Sequence, residues 1–361
     1  MLFNKSACTE CGECLHRCPY TDCDPTEASE QIRELKAGGN PAIVEECVTC
    51  FACDTFCPNN AHPFFLIADA QERNGTKKSN KAFYEMVAGV DEDPRECIQQ
   101  SNKEGPIINI CAADVIPGVW EGVFYQNATL LRGGDWESTF TLLHIGQGSH
   151  FPGKMKEKIE NLANIAADTQ EIIMAHEDCY TAFTYFAREF NIPVPFPVIH
   201  IAEYLNHELL KRKDRIQPLR RKIAVQKSCA SRYTPETDSF YDTLLHLCGC
   251  QRVSRKFDRA DALCCGAHVA PYRGFKAGLE YKNRNIQDAL DNGADSLLFT
   301  CPYCALQMRD EAESAGLQTI YLPNLPRMAM NEQLTFHPSG FGDMRKQILH
   351  AVALNKGFSV R

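Results

Sequence analysis

The hydrophobic residues of the chain follow two different patterns. In the first part they recur at helical spacing in short stretches, and the clearest stretch covers 26–36, between Pro25-Thr26 and Gly38-Gly39. A second helical stretch is predicted at 63–73. From about residue 105, short apolar runs alternate with longer helical segments. This alternation predicts α/β units built on a parallel sheet.

The α/β pattern places strands and helices in turn along the second part of the chain. The predicted strands are the apolar runs 106–110, 139–145, 171–175, 222–226 and 296–300. The predicted helices between them cover 154–167, 180–190 and 278–292. A polar stretch at 71–81 separates this part from the helical first part.

Cysteines interrupt the first pattern in two runs with the same spacing, C-x2-C-x2-C-x3-C followed by proline. The first run contains Cys8, Cys11, Cys14 and Cys18. The second run contains Cys47, Cys50, Cys53 and Cys57. In such a run, three closely spaced thiolates bind one [4Fe–4S] cubane, and the fourth binds the other cluster of the pair.

The spacing therefore predicts two cubane clusters that exchange their fourth ligands. The ligands of one cluster are predicted to be Cys8, Cys11, Cys14 and Cys57. The ligands of the other are predicted to be Cys47, Cys50, Cys53 and Cys18. A pair of zinc sites is the alternative, but zinc needs only four ligands and rarely shows this four-cysteine run twice.

Composition and charge narrow the class of protein. The 361 residues include 38 Lys and Arg against 46 Asp and Glu, a formal net charge of -8, which argues against a nucleic-acid partner. The sequence shows neither a secretion leader nor an apolar run long enough for a direct membrane span. The predicted location is cytoplasmic, with peripheral docking on the cytoplasmic face of a membrane through a partner. In a reducing compartment, the 19 cysteines favour metal or redox chemistry over disulfides.

A second cysteine pattern lies in the α/β part of the chain. It consists of Cys229, the pair Cys264-Cys265 followed by Gly266, and Cys301-x-x-Cys304. The last pair directly follows the apolar run 296–300, where a strand ends and a helix begins. Ligands collect at such strand ends, and helix N-termini favour anionic sulfur. Five thiols at one place exceed the needs of a single cubane or zinc ion.

This second pattern resembles the cysteine-rich CCG domain of heterodisulfide reductases and their relatives. The paired cluster runs in front of it are similar to the D-type subunit of those enzymes. The resemblance implies a noncubane [4Fe–4S] cluster that itself cleaves a sulfur–sulfur bond. The implied ligands of that cluster are Cys229, Cys264, Cys265, Cys301 and Cys304.

Together these patterns predict an α/β fold with an N-terminal α-helical ferredoxin domain. The ferredoxin domain is assigned to 1–95, with both cubane clusters. A degenerate CCG-type repeat is assigned to 96–218, and the intact CCG domain to 219–361. The first repeat is predicted to lack a cluster because 172–183 aligns with 297–308 but carries His176 and Cys179 in place of C-x-x-C. Upstream, 144–150 contains no double cysteine.

The degenerate repeat makes the chain resemble one group of these relatives in particular. It resembles the catalytic subunit of membrane complexes in dissimilatory sulfur metabolism, which act on the sulfur-loaded cysteines of a small carrier protein. This resemblance implies a membrane partner, such as a cytochrome b-type or other redox subunit, and a small thiol or sulfur-carrier protein as substrate.

The predicted catalytic residues are Cys264, Cys265 and His268. Histidine titrates in the range useful for protonating a leaving sulfur, and His268 lies two residues after Gly266. A structural hydrogen bond is the alternative role of this histidine.

Other histidine and cysteine side chains have two open interpretations. His176 and Cys179 either face the active site or are packed relics of the repeat. Cys248 and Cys250 either form a redox pair or are ordinary thiols. The remaining cysteines are predicted to be buried and to behave as small apolar residues: Cys23, Cys97 and Cys111.

The predicted function is reduction, or reversible oxidation, of a heterodisulfide, disulfide or trisulfide at the noncubane cluster, with electrons passed through the two cubanes. A second hypothesis is a pure electron-transfer subunit of a flavin dehydrogenase complex that sends electrons towards quinone. A third is a zinc-stabilised scaffold without redox chemistry. The sulfur substrate, the direction of the reaction, the identity of the membrane partner and the oligomeric state do not follow from the sequence.

Overall fold

The computed structural model describes residues 2–81, 84, 97–99, 105–111, 116, 118–166 and 170–334. The predicted boundary between 95 and 96 and the side chain of Cys97 lie outside this described part. Within it, no helix has both the length and the apolar character that a membrane crossing requires.

The first part of the chain is helical. Its helices are α1 Glu13–His16, α2 Pro25–Lys36, α3 Ile43–Glu46, α4 Ala52–Phe56 and α5 Pro63–Asn74. Helix α2 begins where the Asp24 carboxylate accepts hydrogen bonds from the amides of Thr26 and Glu27, at 2.8 and 2.9 Å. The two helices predicted at 26–36 and 63–73 are confirmed as α2 and α5.

A five-stranded sheet follows, with strand order β1-β3-β2-β4-β5. Its strands are β1 Cys97–Gln99, β2 Ile107–Cys111, β3 Thr129–Arg132, β4 Ile172–Met174 and β5 Val198–His200. Strand β1 runs antiparallel to β3, and the other pairs are parallel. The strands predicted at 106–110 and 171–175 are confirmed as β2 and β4.

The second sheet is wholly parallel, with strand order β7-β6-β8-β9. Its strands are β6 Lys222–Gln226, β7 Gln251–Arg252, β8 Ser296–Phe299 and β9 Gln318–Tyr321. The four parallel strands of each sheet are arranged alike. From one side of the sheet to the other they come in the order second, first, third and fourth along the chain, which is β3-β2-β4-β5 in the first sheet and β7-β6-β8-β9 in the second. Strands β4 and β8 therefore each lie between two parallel neighbours, at equivalent places in the two sheets.

Helices cover the two sheets and connect their parallel strands. They are α6 Phe151–Ala163, α7 Glu177–Thr181, α8 Ala187–Glu189, α9 Ile201–Leu210, α10 Thr237–Leu247, α11 Ala270–Arg273, α12 Phe275–Asp291, α13 Pro302–Ser314 and α14 Leu325–Ala329. A π-helical turn, Ala182–Phe186, joins α7 to α8. The helices predicted at 154–167, 180–190 and 278–292 correspond to α6, to α7 with α8, and to α12.

One predicted strand is wrong. The apolar run 139–145 forms a 3-10 helix, Phe140–His144, instead of a strand. The ring of Phe140 is fully buried against the rings of Phe51 and Phe151, at centroid distances of 5.2 and 5.9 Å. A short apolar run that is buried on all sides has no periodicity to distinguish a strand from a helical turn.

Phe51 also shows how the helical part packs on the sheets. This residue lies between Cys50 and Cys53, yet its ring is completely buried and contacts Phe64, His144 and Tyr233. The loop between Cys50 and Cys53 is thus part of the hydrophobic core. Burial of this loop holds the buried thiols of Cys50 and Cys53 in place.

At Gly12 the backbone of the first cysteine run packs closely against helix α2. The φ of Gly12 is +75°, and a Cβ atom there would lie 2.5 Å from the amide nitrogen of Ser29 in α2. We expect Gly12→Ala to lower the free energy of unfolding by about 3 kcal/mol, because left-handed strain adds to a forced backbone shift. Urea unfolding of anaerobically purified protein, followed by circular dichroism, measures this loss.

Gly38→Ala is the matched control. Gly38 has a φ of +86°, but no atom lies within 4 Å of the position its Cβ would take. Its substitution should therefore cost only about 1 kcal/mol of left-handed strain. Equal losses in the two variants would contradict the close packing of Gly12 on α2.

Candidate metal centres

Left-handed backbone shapes both cysteine runs in the same way. Glu10 and Gly12 have φ values of 61° and 75° in the first run, and Thr49 and Phe51 have φ values of 56° and 62° at the same positions of the second. Each of these residues lies between two cysteines of its run. The repeated left-handed residues give the backbone of the two runs the same curled path.

The first group of thiols contains Cys14 and its neighbours. Burial raises the pKa of Cys14, and the nearby thiols of Cys57, Cys11 and Cys8 raise it further, in that order. Cys57 comes from the second run, so the structure brings the predicted fourth ligand to the first three.

The second group is completed in the same way by a residue of the first run. Burial is the main cause that raises the pKa of Cys18, and the thiol of Cys47 adds to it. The pKa of Cys50 is raised by burial, opposed by the charge of Arg232, and raised further by Cys18 and Cys47. The pKa of Cys53 is likewise raised by burial first. Cys18 and Cys57 therefore each lie near thiols of the other run.

The third group lies at the carboxyl ends of β6 and β8. Cys229 follows β6, Cys301 caps the N-terminus of α13, and Cys304 lies in the first turn of that helix. The thiols form a continuous series of hydrogen-bond contacts, in the order Cys229, Cys264, Cys265, Cys304 and Cys301. The structure thus brings all five predicted ligands together.

Ionisation within this third group is favoured at two positions. Hydrogen bonds from Cys264 and Cys304 outweigh burial and lower the pKa of Cys265 to about 6. Burial opposes ionisation of Cys301, but hydrogen bonds from Cys304 and His176 outweigh it and lower this pKa to about 6. A thiolate is the form of cysteine that binds metal, so these contacts favour the metal-binding form of Cys265 and Cys301.

The second and third groups are direct neighbours. Tyr20, two residues after Cys18, accepts a hydrogen bond through its hydroxyl from the amide of Cys264 at 2.6 Å. Cys50, Cys229 and Cys264 line one small cavity. Arg232 donates from Nε to the carbonyl of Cys50 at 3.1 Å.

A further cluster lies on the first sheet, and the sequence patterns did not reveal it. The Sγ atom of Cys111 lies 3.7 Å from that of Cys179 and 3.6 Å from Nδ1 of His176. The Nε2 atom of His176 lies 3.9 Å from Sγ of Cys301. Cys111 is buried as predicted, but it is not an isolated apolar thiol. Cys111 lies at the end of β2, and Cys229 likewise follows the end of β6. This similar position was the signal that the sequence offered.

His268 stacks on another histidine. Its ring lies parallel to that of His144, with centroids 3.8 Å apart and planes at 8°. Burial, and then the charge of Lys77, lowers the pKa of His268 to about 3. Burial also lowers the pKa of His144 well below its usual value, and Nδ1 of His144 lies 2.9 Å from the Thr49 hydroxyl. Both rings are therefore neutral at pH 7.

Cys248, Cys250 and Cys23 belong to none of the groups described above. Cys248 caps the C-terminus of α10 and is fully buried, and the Sγ of Cys250 lies 3.8 Å from its carbonyl oxygen. The Sγ of Cys23 accepts a hydrogen bond from the Gln31 side chain at 3.2 Å. Burial, and then the thiol of Cys250, raises the pKa of Cys248, and no metal-ligand candidate among the described residues contributes to that shift.

Comparison with known proteins finds two domain families in the chain. Residues 1–58 match the 4Fe-4S dicluster domain, and residues 223–309 match the cysteine-rich domain called CCG. The chain thus joins a region that matches a 4Fe-4S dicluster domain to a region that matches a CCG domain.

A curated relative with these features is the D subunit of the dihydromethanophenazine:CoB–CoM heterodisulfide reductase of Methanosarcina acetivorans. The chain is 28% identical to it over 198 residues. This match covers 52% of the chain and 47% of the relative, so it spans about half the length of either protein. The chain is therefore similar to the D-type subunits of heterodisulfide reductases.

The stacked histidines predict a sensitivity to mild acid. Because the folded-state pKa of His268 lies below the unfolded value of about 6.5, the unfolded state takes up the proton first as pH falls, and stability is lost. A neutral buried histidine of this kind costs about 1.3 kcal/mol of stability between about pH 7 and about pH 5.5. We expect His268→Gln to reduce the loss over this interval by about that amount. Urea unfolding at both pH values measures the difference.

His246→Gln serves as the control, because His246 is exposed at the end of α10 and faces solvent. This variant should lose as much stability as the unmodified protein over the same interval. If His268→Gln and His246→Gln behaved alike, the stacked pair would not be the source of the acid sensitivity.

Proposed function

We propose that this protein reduces, or reversibly oxidises, a heterodisulfide, disulfide or trisulfide on a small thiol or sulfur-carrier protein. The site is the third group of thiols, which would hold a noncubane [4Fe–4S] cluster. The observation that carries this proposal is the continuous contact of five cysteines within the matched CCG domain, directly beside the second group. The similarity to a heterodisulfide reductase subunit supports the same reaction class.

The residues present fit an iron–sulfur cluster by their chemistry. Iron–sulfur clusters are held by thiolates, and the third group offers only sulfur ligands in its inner contacts. Two of these thiols, Cys265 and Cys301, have a pKa lowered to about 6. When bound, such a cluster would supply the redox chemistry for cleavage of a sulfur–sulfur bond, and the five cysteines of the third group would hold it.

Protein side chains hold the second group of thiols against the third. Arg232 bonds the Cys50 carbonyl through Nε, and it donates to the carbonyl of Ala260 at 2.5 Å and to that of Ala262. These contacts bind the second cysteine run to the segment that leads into Cys264. The Tyr20 hydroxyl adds a bond to the Cys264 amide. This proximity supports delivery of electrons to the third group from the second cubane site, with the first site farther along the route.

His268 has a different role in the proposal from the one its sequence position suggests. Because the pKa of His268 is lowered to about 3, its imidazole is neutral at pH 7. Its stacking on His144, which bonds Thr49 in the second run, supports a positioning role for the loop after Cys265.

The two sheets support the proposed repeat. Strands β3-β2-β4-β5 and β7-β6-β8-β9 share one order and are all parallel. His176 follows β4 at the same distance as Cys301 follows β8, and each residue caps a helix. We therefore infer a CCG-type repeat in 96–218 without a noncubane cluster, an intact one in 219–361, and a ferredoxin domain in 1–95. A membrane redox partner, such as a cytochrome b-type subunit, on the cytoplasmic face completes the proposal.

Cys264→Ala tests the catalytic centre. We expect turnover of a mixed disulfide of two small thiols, with reduced viologen as electron donor, to fall at least about 1000-fold, since ligands that act as a unit fail together. Electron paramagnetic resonance of the same sample should keep the signals of both cubanes. Cys248→Ala is the matched control and should retain turnover and all cluster signals.

Survival of turnover in Cys264→Ala, with the signal of the third cluster lost, would contradict the proposal. The second hypothesis, an electron-transfer subunit of a flavin dehydrogenase complex, predicts a different result for the unmodified protein. Such a subunit should reduce a quinone analogue but leave the mixed disulfide unchanged.

The metal content provides a separate prediction. Two cubanes and one four-iron noncubane cluster should give about twelve irons per chain in anaerobically purified protein. In Cys264→Ala we expect about eight irons, because only the third site is lost. Iron and acid-labile sulfide assays measure both values. A protein with zinc and almost no iron would instead support the scaffold hypothesis.

A further inference from the structure

We propose that the buried charge of Lys77 raises the reduction potential of the cubane held by the second group of thiols above that of the cubane held by the first, which rests on the cluster sites of the proposed function. Lys77 lies in a 3-10 turn, Thr76–Lys78, that follows α5. It is one of the largest fully buried side chains, with 1% of its surface exposed. Its charge thereby favours the passage of electrons from the first cubane to the second.

Lys77 makes two contacts that an ammonium group favours. Its Nζ atom donates a hydrogen bond to the carbonyl oxygen of Cys47, a predicted ligand of the second group. It also lies 4.2 Å from the centroid of the Tyr272 ring, whose face attracts a cation. Burial lowers the pKa of Lys77, and the thiol of Cys47 and then the carboxylate of Glu45 oppose this change. These contacts favour the charged form of Lys77, directly beside Cys47.

Two arginines add positive charge at the same group of thiols. Arg232 bonds the carbonyl oxygen of Cys50. Arg273 donates to the carbonyl oxygens of Glu46, at 2.8 Å, and Tyr20, at 2.6 Å. Within the described part of the chain, neither arginine forms an ion pair with a carboxylate, and the same is true of the buried lysine. Three cations therefore surround the second group without carboxylates paired to them.

An opposing charge lies at Cys53. After burial, the carboxylate of Asp54 is the next cause that raises the pKa of Cys53. This carboxylate accepts hydrogen bonds from the amide of Phe64 at 2.7 Å and from the hydroxyl of Tyr233 at 2.8 Å, and Nδ1 of His62 lies 3.2 Å away. Because these donors disperse its negative charge, the three cations outweigh it near the second group.

The first group of thiols has a matching lysine whose charge is neutralised. Lys36 donates to the carbonyl oxygen of Cys8 at 2.9 Å, as Lys77 does to that of Cys47, and both cysteines come first in their runs. The Nζ atom of Lys36 also lies 2.7 Å from Oε1 of Glu10, a side chain that is 33% exposed. A paired charge that is partly exposed to water acts only weakly on its surroundings. The two groups thus differ in the net charge beside equivalent cysteines.

This difference in charge has a direct consequence for electron transfer. The reduced form of an iron–sulfur cluster carries one more negative charge than the oxidised form, so positive charge nearby raises its reduction potential. The effect is largest for a buried charge, because water does not screen it. One electron then leaves the reduced first cubane and reduces the second, without movement of a proton. The second cubane site adjoins the third group of thiols, so this direction leads to the proposed catalytic centre.

A redox titration of the full-length, anaerobically purified protein tests the role of Lys77. Electron paramagnetic resonance follows the midpoint of each cubane, and Cys11→Ser identifies the signal of the first, since it changes a ligand of that cubane alone. Lys77→Met keeps an unbranched side chain and removes its charge. We expect the equilibrium constant for reduction of the second cubane to fall at least about tenfold, which for one electron corresponds to about 59 mV. The midpoint of the first cubane should stay unchanged.

Lys78→Met is the matched control, because it removes the same charge from the next residue, which is exposed to solvent. It should leave both midpoints unchanged, whereas Lys77→Arg, which keeps the buried charge, should retain the midpoint of the unmodified protein. If Lys77→Met does not fold, the unmodified protein remains decisive, since its second cubane should have the higher midpoint.

Three results would overturn the role of Lys77: equal midpoints in Lys77→Met and the unmodified protein, equal shifts in Lys77→Met and Lys77→Arg, or a lower midpoint for the second cubane than for the first in the unmodified protein. The titration involves no disulfide substrate. Normal cubane signals with any of these results would therefore leave the proposed function intact, whereas a protein without two cubane signals would contradict the cluster sites of the proposed function itself.

Discussion

The hydrogen bond between the Cys264 amide and the Tyr20 hydroxyl joins the two parts of the molecule at their chemical centre. Tyr20 follows Cys18 of the first run by two residues, Cys264 lies between strands β7 and β8, and the bond between them is 2.6 Å long and buried. A buried amide without this acceptor would cost free energy, so the bond defines where the helical part docks. Arg232 strengthens the same junction by bonding the Cys50 carbonyl. Both contacts place the second group of thiols beside the third.

A second junction connects the two sheets through one imidazole. His176 faces Cys111 with Nδ1 and Cys301 with Nε2, at 3.6 and 3.9 Å. The same chain topology has thus placed two groups of side chains next to each other, one of thiols alone and one of two thiols and an imidazole. Because His176 is buried between them, a change of charge in either group acts on the other through an interior of low dielectric constant.

Local patterns predicted many elements because their causes are local. Helix α2 was predictable from its capping residues and glycines, and strands β2, β4, β6 and β8 from short apolar runs. Strands β3, β5, β7 and β9 were missed, since they are two to four residues long and gain their pairing only from neighbours in the sheet. The segment around Phe140 was assigned to the wrong element because only aromatic packing determines its form.

The sequence by itself determined the ligand chemistry, since the number and spacing of cysteines within each run are covalent properties of the chain. It also indicated the exchange of Cys18 and Cys57 between the runs and the five cysteines of the CCG pattern. Only the tertiary structure decided which group of thiols adjoins the five cysteines, and that Cys111 meets His176 and Cys179. Those meetings join residues far apart in the chain, and they depend on how the sheets pack, which no local pattern encodes.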